Sequence, residues 1–170
     1  MQTIVWWSNV VVLVAASVVD LGTRRVPNWL AVPFFLAGVA VRAAAGWHGL
    51  GQSLAGVGLA LLLFGPPCFL GAMGLGDLKL AAGVGAWIGP SQFLLAFIVT
   101  AMVGGIMAVC YALWHGSLGK CLDNTGELVV DFTKGRLRQH EDIRLNSAKA
   151  LSIPYAPAIA IGTLFSFFAR

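Results

Sequence analysis

Continuous apolar runs are the feature that most constrains the fold of this chain. Five long runs and one short run make up most of its 170 residues, at about 3–19, 29–45, 53–73, 80–88, 93–114 and 150–169. In a bilayer every backbone polar group must be satisfied within the spanning structure, so only helices and closed barrels can cross. The runs are unbroken rather than alternating, which favours helices. We therefore predict an all-α, polytopic membrane protein with six transmembrane helices, forming one membrane-embedded domain over residues 1–170.

The composition supports this fold class and excludes a soluble one. The chain is 58% hydrophobic and 11% charged, whereas a soluble domain carries roughly 25% charged residues. The net charge of +4 does not indicate nucleic-acid binding, because the basic residues are scattered at the ends of apolar runs and in one mixed-charge segment. We expect membrane lipid around the protein and no nucleic-acid partner.

Proline, glycine and tryptophan mark the predicted helix boundaries. Pro27 is expected to stop the first helix and Asn28 to cap the second. Residues 46–52 are predicted to form a short loop. Pro66 and Pro67 should kink the third helix near its end. The six tryptophans lie mostly near the ends of the runs, which is typical of anchors at the membrane interface.

The short run at 80–88 leaves two topologies open, because a span needs roughly 20 residues. It is either a short fourth helix buried among its neighbours or one part of a bent element that continues into the next run. With six helices and the N-terminus outside, nine of the eleven basic residues lie on the cytoplasmic side, as the positive-inside bias expects. The nine are Arg24, Arg25, Lys79, Lys120, Lys134, Arg136, Arg138, Arg144 and Lys149. We therefore choose six helices, with a cytoplasmic polar loop at about 115–149.

Only two acidic residues interrupt the apolar part of the chain. Asp20 stands at the end of the first run, and Asp77 stands just before the short fourth run. The other five acidic residues all lie between positions 123 and 142. Ionisable groups at membrane depth are costly and are usually retained for function. In the chosen topology both aspartates lie at the same, cytoplasmic face, and they are the predicted catalytic residues.

Paired carboxylates suit one chemistry in particular. Two carboxylates held close together do not both ionise easily, so the pair shares a proton. The charged member can take a proton from a water molecule that attacks a carbonyl carbon, while the protonated member donates to the carbonyl oxygen. Aspartic proteases work in this way. Because this chemistry requires no metal and no covalent intermediate, we predict peptide cleavage by Asp20 and Asp77 without a cofactor.

Other catalytic chemistries have no matching motif in the sequence. The three cysteines and three histidines form no CxxC pair and no zinc-ligand spacing. The chain has no GxSxG and no HExxH. The residues concerned are Cys68, Cys110, Cys121, His48, His115 and His140.

Three segments of the chain resemble the motifs of the type IV prepilin peptidases. The first and second resemble the family's two aspartate motifs, and the second is the GxGD motif shared with presenilin-like intramembrane aspartyl proteases. The third resembles the family's C-terminal signature. In chain order the matching residues are Asp20, Val26, Pro27 and Asn28; Gly74, Leu75, Gly76, Asp77, Leu78, Lys79 and Leu80; and Ile153, Pro154, Tyr155, Ala156, Pro157 and Gly162.

The resemblance implies a membrane aspartic endopeptidase that removes the basic leader from prepilins or pseudopilins at the cytoplasmic face of the bacterial inner membrane. Pilus or secretion-system assembly components are further partners that it implies. The family's larger members carry a cytoplasmic segment with two CxxC pairs and also methylate the new N-terminus. Because these 170 residues contain no CxxC, the chain resembles the short, peptidase-only members that serve Flp-type (tight-adherence) pili, and we do not expect N-methyltransferase activity.

Structural roles are the alternative for each of these residues. Asp20 could cap a helix or pair with a neighbouring arginine, and Lys79 is most simply a membrane-face anchor or, less simply, an electrostatic modulator of Asp77. Gly74 and Gly76 are expected to form a tight turn that positions Asp77, although packing glycines are common in membrane helices. Pro27, Asn28 and the two C-terminal prolines are expected to shape the site rather than react.

Two other function classes remain open at this point. In a small proton-coupled transporter, paired acids would relay protons. However, both aspartates are predicted at one face rather than at the midplane, and the sequence shows no inverted repeat. In a non-catalytic subunit of a secretion system, neither aspartate would be needed.

The predicted topology can be tested by labelling. Cysteines introduced into residues 115–149 should resist a membrane-impermeant thiol reagent added to intact cells and react after the membrane is opened, because the basic residues place this loop in the cytoplasm. Labelling of the loop from outside intact cells would contradict the six-helix arrangement.

Overall fold

The described residues form six helices and contain no strand. The computed structural model describes residues 2–23, 26–69, 73–114 and 155–169. The helices are α1 (Gln2–Thr23), α2 (Asn28–Ala44), α3 (Trp47–Phe69), α4 (Leu75–Ile88), α5 (Pro90–Trp114) and α6 (Ala156–Phe168). The predicted all-α architecture is confirmed. The 115–149 loop and Pro154 lie outside the described residues.

The outward faces of the helices suit a lipid environment. Within the part of the chain that the structure describes, three segments are long and apolar enough to cross a membrane by length and composition: Thr3–Thr23, Trp47–Phe69 and Pro90–Cys110. Their outer surfaces carry large exposed apolar side chains, as helices in hydrocarbon require. On α1 these side chains recur at every third or fourth position and form one stripe: Ile4, Trp7, Val11, Val14, Val18 and Leu21.

Helix α4 is the centre of the bundle. Its 14 residues span about 21 Å at 1.5 Å per residue, which is less than the hydrocarbon thickness of about 30 Å. From Leu80 to Ile88 every residue is buried. Helix α4 ends at Ile88 and α5 begins at Pro90, with Gly89 between them at a φ of 80°. The described residues therefore contain the short, buried fourth helix that the sequence predicted.

Small residues let α4 approach α2 and α3 closely. A side chain at Gly56 of α3 would collide with the backbone of Gly85 on α4, and a side chain at Gly85 would meet the backbone of Gly56. On the opposite side, Trp87 lies against Gly38 of α2, and its indole N–H donates to the Phe34 carbonyl at 2.9 Å. Close backbone packing of this kind is the main attraction between helices in a lipid environment. Helices α2, α3 and α4 therefore form one tightly packed unit.

Helices α1, α5 and α6 form a second unit, with α6 packed between the other two. Gly162 of α6 fits against Thr100 on α5, where any side chain at position 162 would collide with it. The two units meet mainly along α3 and α5. There Phe64 makes edge-on ring contacts with Phe93 and Phe97, at centroid distances of 6.2 and 5.3 Å. By contrast, α1 makes few contacts with α2 or α4.

Several predicted boundaries were wrong, and helices extend further than the prolines and glycines suggested. Helix α1 continues to Thr23, so Asp20 lies within it rather than beyond its end. The predicted loop at 46–52 is reduced to its first residue, because α3 begins at Trp47. Leu21 and Trp47 at these ends are exposed, so packing does not account for the extension. A backbone at a membrane satisfies its own N–H and C=O groups by remaining helical, and local turn signals do not include that requirement.

Three residue-level predictions were also wrong. Pro27, not Asn28, is the N-cap of α2, and Asn28 is the first helical residue with no capping hydrogen bond from its side chain. Gly74 and Gly76 form no tight turn, because Gly74 is the extended N-cap of α4 and Gly76 is already helical. Trp87 is not an interface anchor, since it is buried between α2 and α4.

Pro66 and Pro67 both lie inside α3.

The contact between α3 and α4 can be tested with two neighbouring glycines. Gly56→Ala should lower the thermal stability of the purified protein, because its methyl group would meet the Gly85 backbone, and overpacking of this type costs about 1–3 kcal/mol. Gly58→Ala, on the same helix with nothing within 4 Å of the added carbon, is the matched control and should leave the unfolding temperature unchanged or slightly raised. Equal stability of the two variants would contradict the close approach.

Candidate active site

Asp77 is held in the first turn of α4. Gly74 is the N-cap, which makes Asp77 the third residue of the helix. From this position its carboxylate reaches back and accepts a hydrogen bond from the Gly74 backbone N–H, as the acidic residue of a capping box does. A side chain on Gly74 would lie only 3.3 Å from the Asp77 carboxylate. Asp77 is 9% exposed, so little space is free around its carboxylate. The lack of a side chain at Gly74 keeps part of that space open.

Asp20 is held by a different helix terminus. Its Oδ2 accepts a hydrogen bond of 3.1 Å from the Ala156 backbone N–H, and this contact is buried. Ala156 is the first residue of α6, and the N–H groups of a first turn have no partner within their own helix. The Asp20 carboxylate supplies that partner, and the positive end of the α6 dipole favours its negative charge. Asp20 is 3% exposed.

The structure brings the two predicted aspartates to the same end of the bundle. Their carboxyl groups are close enough to interact electrostatically, although 57 positions separate them in the sequence. Each belongs to a different three-helix unit, Asp20 to the α1–α5–α6 unit and Asp77 to the α2–α3–α4 unit. The pair therefore spans the line along which the two units face each other.

Tyr155 is a third group with a polar side chain near this pair. Its hydroxyl lies within electrostatic range of Asp77. The ring packs on Gly104 of α5, where an added carbon would come within 2.9 Å of it. Because Tyr155 directly precedes Ala156, the packing on Gly104 also fixes the N–H group that binds Asp20. One short segment thus approaches both carboxylates.

Gly76 packs directly against the first motif. A side chain at Gly76 would come within 2.9 Å of the Val26 carbonyl oxygen and 3.1 Å of the Val26 Cβ. Only glycine lets α4 lie this near to the segment that follows α1. The function of this glycine is therefore close approach, rather than an unusual backbone conformation.

Lys79 and Asn28 join the same two motifs a second time. The Lys79 ammonium donates to the Asn28 amide oxygen at 2.9 Å, and both side chains are exposed. The sequence predicted neither side of this contact, since Asn28 was expected to cap its own helix. Pro27 and Pro157 occupy helix starts, as the N-cap of α2 and within the first turn of α6.

Some predicted or alternative partners cannot be placed. Pro154, Arg24 and Arg25 lie outside the described residues, so the alternative pairing of Asp20 with an arginine falls there too. Within the described ranges, no three residues of the His, Cys, Asp and Glu types lie together in a way that could hold a metal ion.

Sequence reasoning did not predict the contacts of Ala156, Tyr155 and Cys68 with the two aspartates. The Ala156 contact uses a backbone N–H, and an alanine gives no sign in the sequence that its backbone binds a carboxylate. Tyr155 lies inside the C-terminal signature but was given no role. Cys68, half-buried near the end of α3, lies within electrostatic range of Asp77, although no cysteine motif marked it. Proximity to an acidic residue in the fold was the only signal for Cys68 and Tyr155.

The fold and the site together define a class: a polytopic, all-helical membrane protein with two buried, interacting aspartates at one end of its bundle. Within that class, the chain belongs to the type IV leader peptidase family, whose family model matches residues 7–109. The matched range includes both aspartates and the residues around them.

Curated relatives carry a corresponding description. The chain is 28% identical over 105 residues to the prepilin leader peptidase/N-methyltransferase of Aeromonas hydrophila, and equally to that of Aeromonas salmonicida strain A449. In each case the alignment covers 58% of this chain and 36% of the relative, so the chain spans about a third of the relatives' length. No solved structure matches the chain.

Proposed function

We propose that the protein is an aspartic endopeptidase that removes the basic leader peptide from type IV prepilins or pseudopilins. The observation that carries the proposal is the pair of buried carboxylates, contributed by two helix units and held within interaction range at one end of the bundle. Family membership and the names of the Aeromonas relatives support a leader peptidase. The resemblance to the family's short, peptidase-only members, which rests on the lack of a CxxC pair in these 170 residues, extends the proposal to Flp-type prepilins.

The chemistry follows from sharing one proton between the two carboxyl groups. The ionised carboxylate accepts a proton from water as its oxygen bonds to the carbonyl carbon of the scissile peptide, and the protonated partner donates to the carbonyl oxygen. In the second step the carboxyl group that is now ionised takes a proton from a hydroxyl of the tetrahedral intermediate, the C–N bond breaks, and the protonated carboxyl group donates its proton to the departing amine. Water is consumed and the pair returns to its starting state. This acid–base chemistry accounts for peptide cleavage and not for transfer of a methyl group.

The site is placed at the cytoplasmic face of the bacterial inner membrane in this proposal. The support is the distribution of basic residues along the sequence, together with the need for water to reach the carboxylates. A transporter is disfavoured because Asp20 and Asp77 lie at one end of the bundle rather than at its middle. No observation favours the non-catalytic alternative.

The aspartates can be tested one at a time. Asp20→Asn and Asp77→Asn should each abolish cleavage of a prepilin that carries its leader, because asparagine keeps the shape of the side chain but can neither accept nor supply the shared proton. The measurement is the appearance of the shortened product with purified protein in lipid nanodiscs. Asp123→Asn, in the polar segment, is the control and should cleave normally. Processing at the normal rate by either site variant would contradict the assignment.

The substrate's apolar helix should contribute to catalysis. A prepilin is cut just before a long apolar segment, so that segment must remain partly in the bilayer while the leader reaches the site. We expect the site to open sideways to lipid beside the short helix α4. Soluble peptides with the leader and cleavage point, but without the apolar helix, should lose most of their kcat/KM because they lack the remote binding energy that positions the scissile bond.

The comparison requires matched substrates. Full-length prepilin and truncated peptide should be assayed with the same nanodisc preparation, and a peptide with a scrambled apolar segment of equal length serves as the control for hydrophobicity. Equal kcat/KM for truncated and full-length substrates would contradict lateral entry and leave the aspartate chemistry intact.

A further inference from the structure

We propose that the hydrogen bond between Lys79 and Asn28 is a latch that sets the separation of the two carboxylates. The bond is 2.9 Å long and joins residues 51 positions apart. Asn28 begins α2, and Lys79 lies two residues after Asp77 on α4. This inference rests on the proposed function, and it makes Lys79 and Asn28 positioning residues of that reaction.

The latch belongs to a two-point attachment. Gly76 and Lys79 are three residues apart, so they lie on one face of α4. The first packs against Val26 and the second bonds to Asn28. At 3.6 residues per turn, Asp77 projects about 100° away from Gly76 and about 160° away from Lys79. The attachment therefore orients α4 without using the face that carries the carboxylate.

The attachment matters because α1 and α4 share little direct contact. No broad surface fixes the distance between the helix of Asp20 and the helix of Asp77. The segment 26–28 begins three residues after α1 ends and leads into α2, so it is where the chain coming from α1 joins the α2–α3–α4 unit. Within that unit the segment is tied to α4 at Gly76 and Lys79. A shift of that segment changes the spacing of the carboxylates, and a misplacement of about 1 Å can cost about 100-fold in rate.

Two simpler roles for Lys79 make different predictions. A lysine that only anchors the membrane face, or only modulates Asp77 by its charge, requires no partner at position 28. Removal of the Asn28 amide would then be harmless. A latch instead requires both members, and an acidic residue at position 28 should replace the amide, because a carboxylate accepts a stronger hydrogen bond from an ammonium group.

The kinetic test uses full-length protein in nanodiscs and a prepilin with its leader. Lys79→Met and Asn28→Ala should each lower kcat by about 10- to 100-fold, with KM changed by less than about twofold, because positioning is lost while substrate contacts remain. The double variant should be no slower than the slower single variant, since both remove one shared interaction. Asn28→Asp should retain activity. His48→Ala, an exposed polar residue at the start of α3, is the control and should behave as wild type.

A spin-label measurement tests the latch without relying on activity. Labels at Leu21 on α1 and Leu75 on α4, both exposed, should give a single narrow distance distribution in a background that lacks the native cysteines. The distribution should broaden or shift in Asn28→Ala and Lys79→Met and stay unchanged in Asn28→Asp and His48→Ala.

The outcomes separate this inference from the proposed function. If wild-type protein fails to cut any prepilin but the distance distribution responds to Asn28→Ala, the proposed function is overturned and the latch stands. The latch is overturned if Asn28→Ala leaves the distances unchanged, if its kcat equals that of wild type, if the losses multiply in the double variant, or if Asn28→Asp is as slow as Asn28→Ala.

Discussion

The hydrogen bond from the Ala156 backbone to Asp20 is the interaction on which the site depends. A carboxylate inside a membrane protein must find donors, because the surrounding hydrocarbon offers none. Asp20 finds one at the start of α6, and Asp77 finds another at the start of its own helix. Both donors are N–H groups that a helix terminus leaves without partners. The same contacts therefore give the carboxylates the donors they need and give the N–H groups of the helix ends the acceptors they need.

Much of the site could be predicted because its reactive groups are rare. Two acids in an otherwise apolar part of the sequence are easy to single out as functional candidates. The choice of six helices needed the distribution of basic residues as well as the length of the runs. The supporting contacts could not be predicted in the same way. Ala156 acts through its backbone, which every residue possesses. Asn28 was given a local role as a cap, whereas its partner lies 51 positions away. Local rules describe a residue's neighbours in sequence and give no information about such partners.

The helix boundaries also show that local sequence rules do not reveal which helices pack together. Glycines at 74 and 76 indicated a turn, yet α4 begins at Leu75 and the second glycine serves close approach to Val26. In a membrane protein a glycine can either interrupt a helix or let two helices pack closely. The identity of the neighbouring helix decides between them. For Gly56 and Gly85 that neighbour is another glycine, a pairing that emerges only in three dimensions.

The division of the aspartates between two helix units has a consequence for biosynthesis. Helix α4 makes most of its contacts with α2 and α3, which leave the ribosome before it, so Asp77 can reach its packed position early. Asp20 is made earlier still, but its hydrogen-bond donor belongs to α6, which emerges after the other five helices. Until α6 is inserted, the first aspartate lacks the partner that holds it. A nascent chain therefore carries both acids before Asp20 has its hydrogen-bond donor, and the arrangement around the pair is complete only when the last described helix is in place.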